Sequence, residues 1–314
     1  MLEKEKFRKY VAQLLLILIL FFSFCNISEA QLKQEQGLLN ASETFNRPRF
    51  NFVVITEAAV AAIAGIGLKY LWYKNFPKSK FHFFNDNGEW MNMDKVGHAT
   101  SVYNISAGQY NAMRWCGVNK NSATLIGGLT GLAYLTIVEI SDGFSAEWGF
   151  SKGDMAANII GSSIFMGQQY AWGEQRIQMR FTYHKTIYSQ LNPKELGRNY
   201  WQNLLKDYNG QTYWLSFNIS SFLKKPNNFP RWMNADIGYG AEGMIGAFKN
   251  PKEIDGTPIP EFVRQRKLFF GIDGAITKKN TIPYPTFLNV IRMPSPVLEY
   301  KLKTKQLKGH LLYY

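Results

Sequence analysis

The sequence predicts an α+β chain: a four-helix bundle, membrane-apposed or membrane-embedded, followed by an antiparallel β-rich region. Three observations predict it. Apolar Gly-rich runs dominate the first half of the 314 residues, segments alternating in polarity and rich in aromatic and β-branched residues fill the second half, and turn-formers separate them. The boundaries read as a signal peptide over 1–30, a linker over 31–50, the bundle over 51–175 and the β-rich region over 176–314.

Lys4, Lys6, Arg8 and Lys9 precede an uncharged run from Val11 to Phe24, and Ser28-Glu29-Ala30 then supplies a small-x-small site. That is the layout of a secretory signal cleaved after Ala30. The apolar run is shorter than the roughly 18–20 residues a spanning helix needs. Phe24 is bulky where a lipid-attachment signal carries a small residue, which argues against lipidation of Cys25. Cleavage removes four basic and three acidic residues, so the formal charge of +13 falls by only one. Long-range partners are then anionic, and in an exported chain these are membrane lipids or anionic envelope polymers rather than nucleic acid. Cys116 alone remains, which excludes an internal disulfide and a Cys-based metal site.

The first helix is predicted from Phe52 to Tyr73, with Glu57 and Lys69 as its charges before a polar, aromatic loop over 74–92. The second runs from about Asp94 to Trp115. Ser122 is a suitable N-cap for the third, which carries no charge until Glu139 and stops at Asp142-Gly143. Ser151-x-x-Asp154 has the spacing of a helix-capping pattern and opens the fourth, which ends near Gly173. The third and fourth are long enough to span a bilayer, yet their Gly and Ser positions also suit close helix packing. Beyond Glu174, segments such as Ile177–Gln190, Thr212–Ile219, Met233–Gly240, Arg266–Ile276 and Pro296–Lys303 read as antiparallel strands. The last stretch ends His-Leu-Leu-Tyr-Tyr, a terminal aromatic shared by outer-membrane strands and many soluble ones.

Polar residues interrupt the apolar helices at Asp94, Lys95, His98, Glu139, Asp142, Asp154 and Asn158. Short connections make consecutive helices antiparallel, so the start of helix two, the end of helix three and the start of helix four meet at one end. Four carboxylates then face Lys95 and His98, and the negative excess requires protonation, a cation or solvent. Three functions follow: a divalent cation held by carboxylates and His98, an acid–base pair of His98 and Glu139 with Asp154 orienting, or a lipid head group bound through Lys95 and helix N-termini. Capping and turn roles account equally for Asp94, Asp142 and Asp154, and Asn158 can bridge two helices. His98 and Glu139 have no such explanation at this level.

The pattern Asp94-Lys95-x-x-His98, Glu139-x-x-Asp142-Gly143 and Ser151-x-x-Asp154-x-x-x-Asn158-x-x-Gly161 resembles the YfiM-like family of predicted periplasmic lipoproteins. It is similar, more distantly, to VanZ-like membrane proteins. The resemblance spans about residues 90–170 and implies an envelope location and the same polar set, without a reaction. Gly238-x-Gly240-x-x-Gly243 matches a dinucleotide fingerprint but lies in a strand-like segment without a βαβ unit, which excludes a nucleotide cofactor. These glycines are expected to form a bulge or to make room for an aromatic neighbour. His82, His184 and His310 lack acidic partners at helical spacing and read as surface or interface residues.

Overall fold

The computed structural model describes residues 40–68, 77–224, 229–274 and 289–313. The signal peptide with its cleavage site and Cys25, most of the linker, and the stretch from Lys69 to Tyr73 lie outside the described residues. Helices fill the N-terminal half and an antiparallel sheet the C-terminal region.

α1 (Arg47–Leu68) begins inside the segment expected to be linker, because residues before it are tied down: Ser42 and Asn46 donate backbone N–H groups to Trp115 and Cys116 carbonyls. α2 (Met93–Trp115), α3 (Lys120–Gly143) and α4 (Lys152–Trp172) then pack on one another. Their approach is set by glycine. A Cβ at Gly127 would lie 2.6 Å from the Ser106 carbonyl oxygen, one at Gly131 would lie 2.6 Å from that of Val102, and one at Gly161 would overlap the Ala99 carbonyl. α1 is held less intimately, through Val53 against Met113 and Cys116 and a Gln109–Glu57 hydrogen bond of 3.3 Å. The compact unit is thus three helices with α1 alongside, because most apolar side chains of α1, including Val54, Ile55, Val60 and Ile66, face away from it.

α1 and α3 are the described helices long and apolar enough to cross a membrane by length and composition. α4 is not, although its length suggested it, because it turns polar Asn158, Ser162, Gln168 and Gln169 inward. Asn119, not Ser122, caps α3: its Oδ1 accepts from the Ser122 N–H at 2.9 Å.

Two short strands inside segments expected to be loops, β1 (Phe83–Phe84) and β2 (Phe150–Ser151), pair in parallel. Between β1 and α2 the chain makes a 3-10 turn, Glu89–Asn92, with Trp90, Met91 and Asn92 at φ of 45°, 55° and 68°.

β3 (Ile177–Tyr183) leads through α5 (Tyr188–Leu191), α6 (Pro193–Leu196) and α7 (Tyr200–Lys206) to β4 (Gln211–Asn218). After α8 (Ile219–Phe222) come β5 (Met233–Glu242), the small hairpin of β6 (Glu253–Ile254) and β7 (Thr257–Pro258), then β8 (Gln265–Gly274), β9 (Ser295–Lys301) and β10 (Leu307–Tyr313). The main sheet is antiparallel in the order β10-β9-β8-β5-β4-β3.

The sheet curls so that side chains of β10 reach across to β4 and the end of β3: the Tyr313 hydroxyl is 2.8 Å from Thr212 Oγ1, and its ring stacks edge-on with His184 just beyond β3. The concave face is the charged one. Arg180 on β3 pairs with Asp273 on β8, Arg292 reaches Asp236 at 2.7 Å, and Trp214, Phe269 and Tyr313 pack among them. The convex face is apolar. Part of it, over β3 and β4, is covered by the bundle, where Met179 and Leu215 join Ala99, Tyr103, Ala157 and Phe165. The remainder exposes Ile237, Phe270, Ile272, Leu298 and Leu311. Gly238 and Gly240 do sit beside aromatic rings, those of Trp214 and Phe269, as the strand reading expected.

Candidate functional site

The start of α2, the end of α3 and the start of α4 surround a cavity of about 540 Å³. Asp94, His98, Glu139, Asp142 and Asp154 line it, Lys95 reaches the same carboxylates, and Asn158 lies behind His98. All seven residues singled out from the sequence therefore come to one end of the helices. Glu139, Asp154 and Asn158 are only 1%, 3% and 0% exposed.

His98 on α2 is oriented by Asn158 on α4. Its Nδ1 is 3.0 Å from Asn158 Oδ1, which accepts, so Nδ1 donates and the ring is held with Nε2 toward the cavity. Nε2 stands 3.5 Å from Glu139 Oε1 and 4.0 Å from Asp94 Oδ1.

The α4 cap explains where Asp154 points. In a capping box the N-cap hydroxyl takes the N–H three residues on, and the acid at that position reaches back to the N-cap N–H. Ser151 Oγ does accept from the Asp154 N–H at 3.0 Å. The reciprocal bond is made by another helix: Glu139 Oε2 accepts the Ser151 N–H at 3.0 Å. Glu139 thus has the capping role that sequence spacing did not suggest, and the Asp154 carboxyl is free to turn into the cavity.

Sequence reasoning missed Asp86, Glu89 and Tyr208. The parallel pairing of β1 with β2 places Asp86 Oδ1 2.6 Å from Ser151 Oγ and 2.6 Å from Lys95 Nζ. The Tyr208 hydroxyl donates to Asp94 Oδ1 at 2.6 Å. Neither contact follows a helical or strand period, so no local pattern could have revealed it.

Carboxylates outnumber cations here. Asp86, Glu89, Asp94, Glu139, Asp142, Asp154 and Glu195 line the cavity together with Lys194 and Lys206, and Lys95 sits between Asp86 and Asp154. Its contacts with Asp86 and with Asp154 (3.0 Å) have ion-pair distances without aligned hydrogen-bond geometry. Burial opposes charge on Lys95, but Asp86, Asp94 and Asp154 outweigh it and raise its pKa. Burial likewise opposes ionisation of Asp86, yet Asp154, the Lys95 charge and the Ser151 hydroxyl hold it below its ordinary value. Asp154 moves the other way, raised by burial, by the Asp94 charge and by a hydrogen bond with Asp86. Burial and the charges of Asp86 and Asp94 push Glu89 up to about 7. Stored protons therefore neutralise part of the excess, and a bound cation would release them.

Ligand-capable atoms of Asp94, His98 and Asp154 lie within 4.8 Å of one another. Phe84, Trp90, Trp148 and Leu205 form the apolar part of the wall.

No curated protein and no solved structure matches this chain. Residues 82–166, which carry α2, α3 and most of α4, match the family model described as "Predicted periplasmic lipoprotein (DUF2279)". The chain is similar to that family over this segment, and the similarity supports an exported envelope protein of unassigned activity.

Proposed function

We propose that this is an exported, membrane-associated envelope protein whose bundle cavity binds a divalent cation. The observation that carries the reading is the grouping of Asp94, His98 and Asp154 within 4.8 Å, with the His98 ring held by Asn158. Metal-bound imidazoles characteristically have their other nitrogen held in this way. Two carboxylates and one imidazole suit a first-row ion such as zinc or manganese better than calcium, which prefers an all-oxygen shell. Glu139 Oε1, 3.5 Å from the same imidazole, supplies a further acceptor. The test is elemental analysis and calorimetric titration of the full chain in detergent. One zinc or manganese bound per chain is expected, and no divalent metal at neutral pH would refute the assignment.

Membrane association is supported by the outward apolar faces of α1 and α3, including Leu125, Leu129, Ile137 and Ile140. The lipid-facing convex surface of the sheet would extend the same belt.

A hydrolase or transferase acting on lipid or cell-wall anions is the second reading, favoured by the His98–Glu139 approach and by a cavity roomy enough for a head group. In it His98 and Glu139 exchange a proton with substrate and Asp154 orients or binds metal. His98→Ala would then abolish turnover in a chain that still folds, and loss of folding would sink the enzyme reading.

A further inference from the structure

The concave face of the sheet holds a second cavity, of about 370 Å³, far in character from the acidic one. Strand parity builds it: Glu242, Lys267, Glu299, Lys301, Lys308 and His310 come from four adjacent strands and all point to the inner side. His184 and Tyr313 close one wall.

The two glutamates are already engaged. Glu242 Oε1 lies 2.6 Å from Lys301 Nζ, and Glu299 Oε2 lies 2.7 Å from His310 Nε2. Lys267 is only 4% exposed, and its ammonium has Glu242 Oε2 at 3.6 Å as its ion-pair contact, too far for a hydrogen bond. Lys308, opposite Glu299 in register, adds a third lysine at the rim. Lys267 is buried, Lys301 half-buried and Lys308 exposed at the rim, so three lysines against two committed carboxylates give the cavity and its mouth a net positive charge.

We propose that this cavity binds a phosphate group, with Lys267, Lys301 and Lys308 as its cationic partners. Lysine suits phosphate as a point charge, and each such contact is a charge-assisted hydrogen bond. The group can belong to a free phosphate ester or to a phospholipid head group. Leu312 on the cavity wall would meet the acyl chains of the latter. The site shares no residue with the bundle cavity and does not rest on the cation reading.

The experiment titrates the full chain in detergent with inorganic phosphate and glycerol phosphate, and separately measures its binding to phosphatidylglycerol and phosphatidylcholine vesicles. Saturable one-site binding is expected. Lys301→Gln and Lys308→Gln should each weaken it at least about tenfold, the loss of one charge-assisted bond, with melting temperature unchanged. Lys267→Met should abolish it. If that variant fails to fold, the other two decide. Binding of glycerol phosphate identifies a soluble ester as sufficient. Binding only to phosphatidylglycerol, lost in both rim variants, identifies the head group. Absence of saturable binding in every arm, or unchanged affinity in both rim variants, overturns the proposal.

Discussion

Because Asn158 holds the Nδ1 proton of His98, the two residues fail differently when changed. Asn158→Ala leaves the imidazole in place but free to rotate or to change tautomer. It should weaken the bound cation by about 10–100-fold, the usual effect of losing an outer-shell partner, and cost about 1–3 kcal/mol for the orphaned donor. His98→Ala removes a ligand outright and should abolish binding, at a similar cost of about 1–3 kcal/mol because the buried Asn158 carbonyl loses its partner. Titration calorimetry separates the two, and thermal melting reads the shared cost. Asp154 gives the pH test. Its pKa is raised in the folded protein, so the folded state holds a proton that the unfolded state loses near pH 4. That contribution is fully present below the unfolded pKa and is lost as pH rises toward the raised folded value. Asp154→Asn should therefore be more stable than the parent on the alkaline side, by on the order of 1 kcal/mol, while losing the cation. Melting curves from pH 5 to about 9 would show this, and parallel profiles would contradict it. At this scale the sequence was informative where a charged residue broke an apolar helix, as His98 and Glu139 do. It was silent where the partner arrived from a distant strand or loop, as with Asp86, Tyr208 and the Glu299 carboxylate that pairs with His310.

Helices α2, α3 and α4 touch through glycine and serine, with Ser162 Oγ donating to the Gly128 carbonyl at 2.9 Å. On an isolated helix, glycine replacement by alanine gains about 1 kcal/mol. Gly161→Val in this setting should instead destabilise by about 1–3 kcal/mol, because the new side chain meets the Ala99 backbone rather than a movable side chain. Gly128→Ala should be milder, since it meets the flexible end of Met166. Denaturant titration of the two variants ranks them, and an equal effect would mean that the helices separate freely. Helix and strand positions were readable because apolar periodicity reports burial of one face directly. Alternation could not tell which face of a strand turns inward. On β8, Lys267, Phe269 and Asp273 are buried while Phe270 and Ile272 are exposed, the reverse of what hydrophobicity alone would choose. Only the curl of the sheet, which lets Arg180 meet Asp273 and Arg292 meet Asp236, makes the charged side the inner one.

For the molecule as a whole, an apolar outer surface on two helices and much of the sheet predicts retention in the membrane pellet after carbonate extraction. Release into the soluble fraction would refute embedding. One of the joins between the two halves lies at the turn before α2. Trp90, Met91 and Asn92, the left-handed run before α2, are tied to the sheet side: the Trp90 N–H to the Ala247 carbonyl at 2.9 Å, the Met91 carbonyl to the Tyr239 hydroxyl, and Asn92 Oδ1 to Arg266 at 3.1 Å. Non-glycine residues at positive φ each cost about 1–3 kcal/mol and persist only where their surroundings hold them. This run sits two residues before Asp94 and six before His98, so the same bonds that hold it also aim those side chains. Tyr239→Phe, remote from the cavity, should therefore loosen the cation measurably. By reciprocity, a cation gripped by Asp94 and His98 should brace β5 and β8, so that bundle and sheet melt in one cooperative transition and amides of both gain hydrogen-exchange protection together.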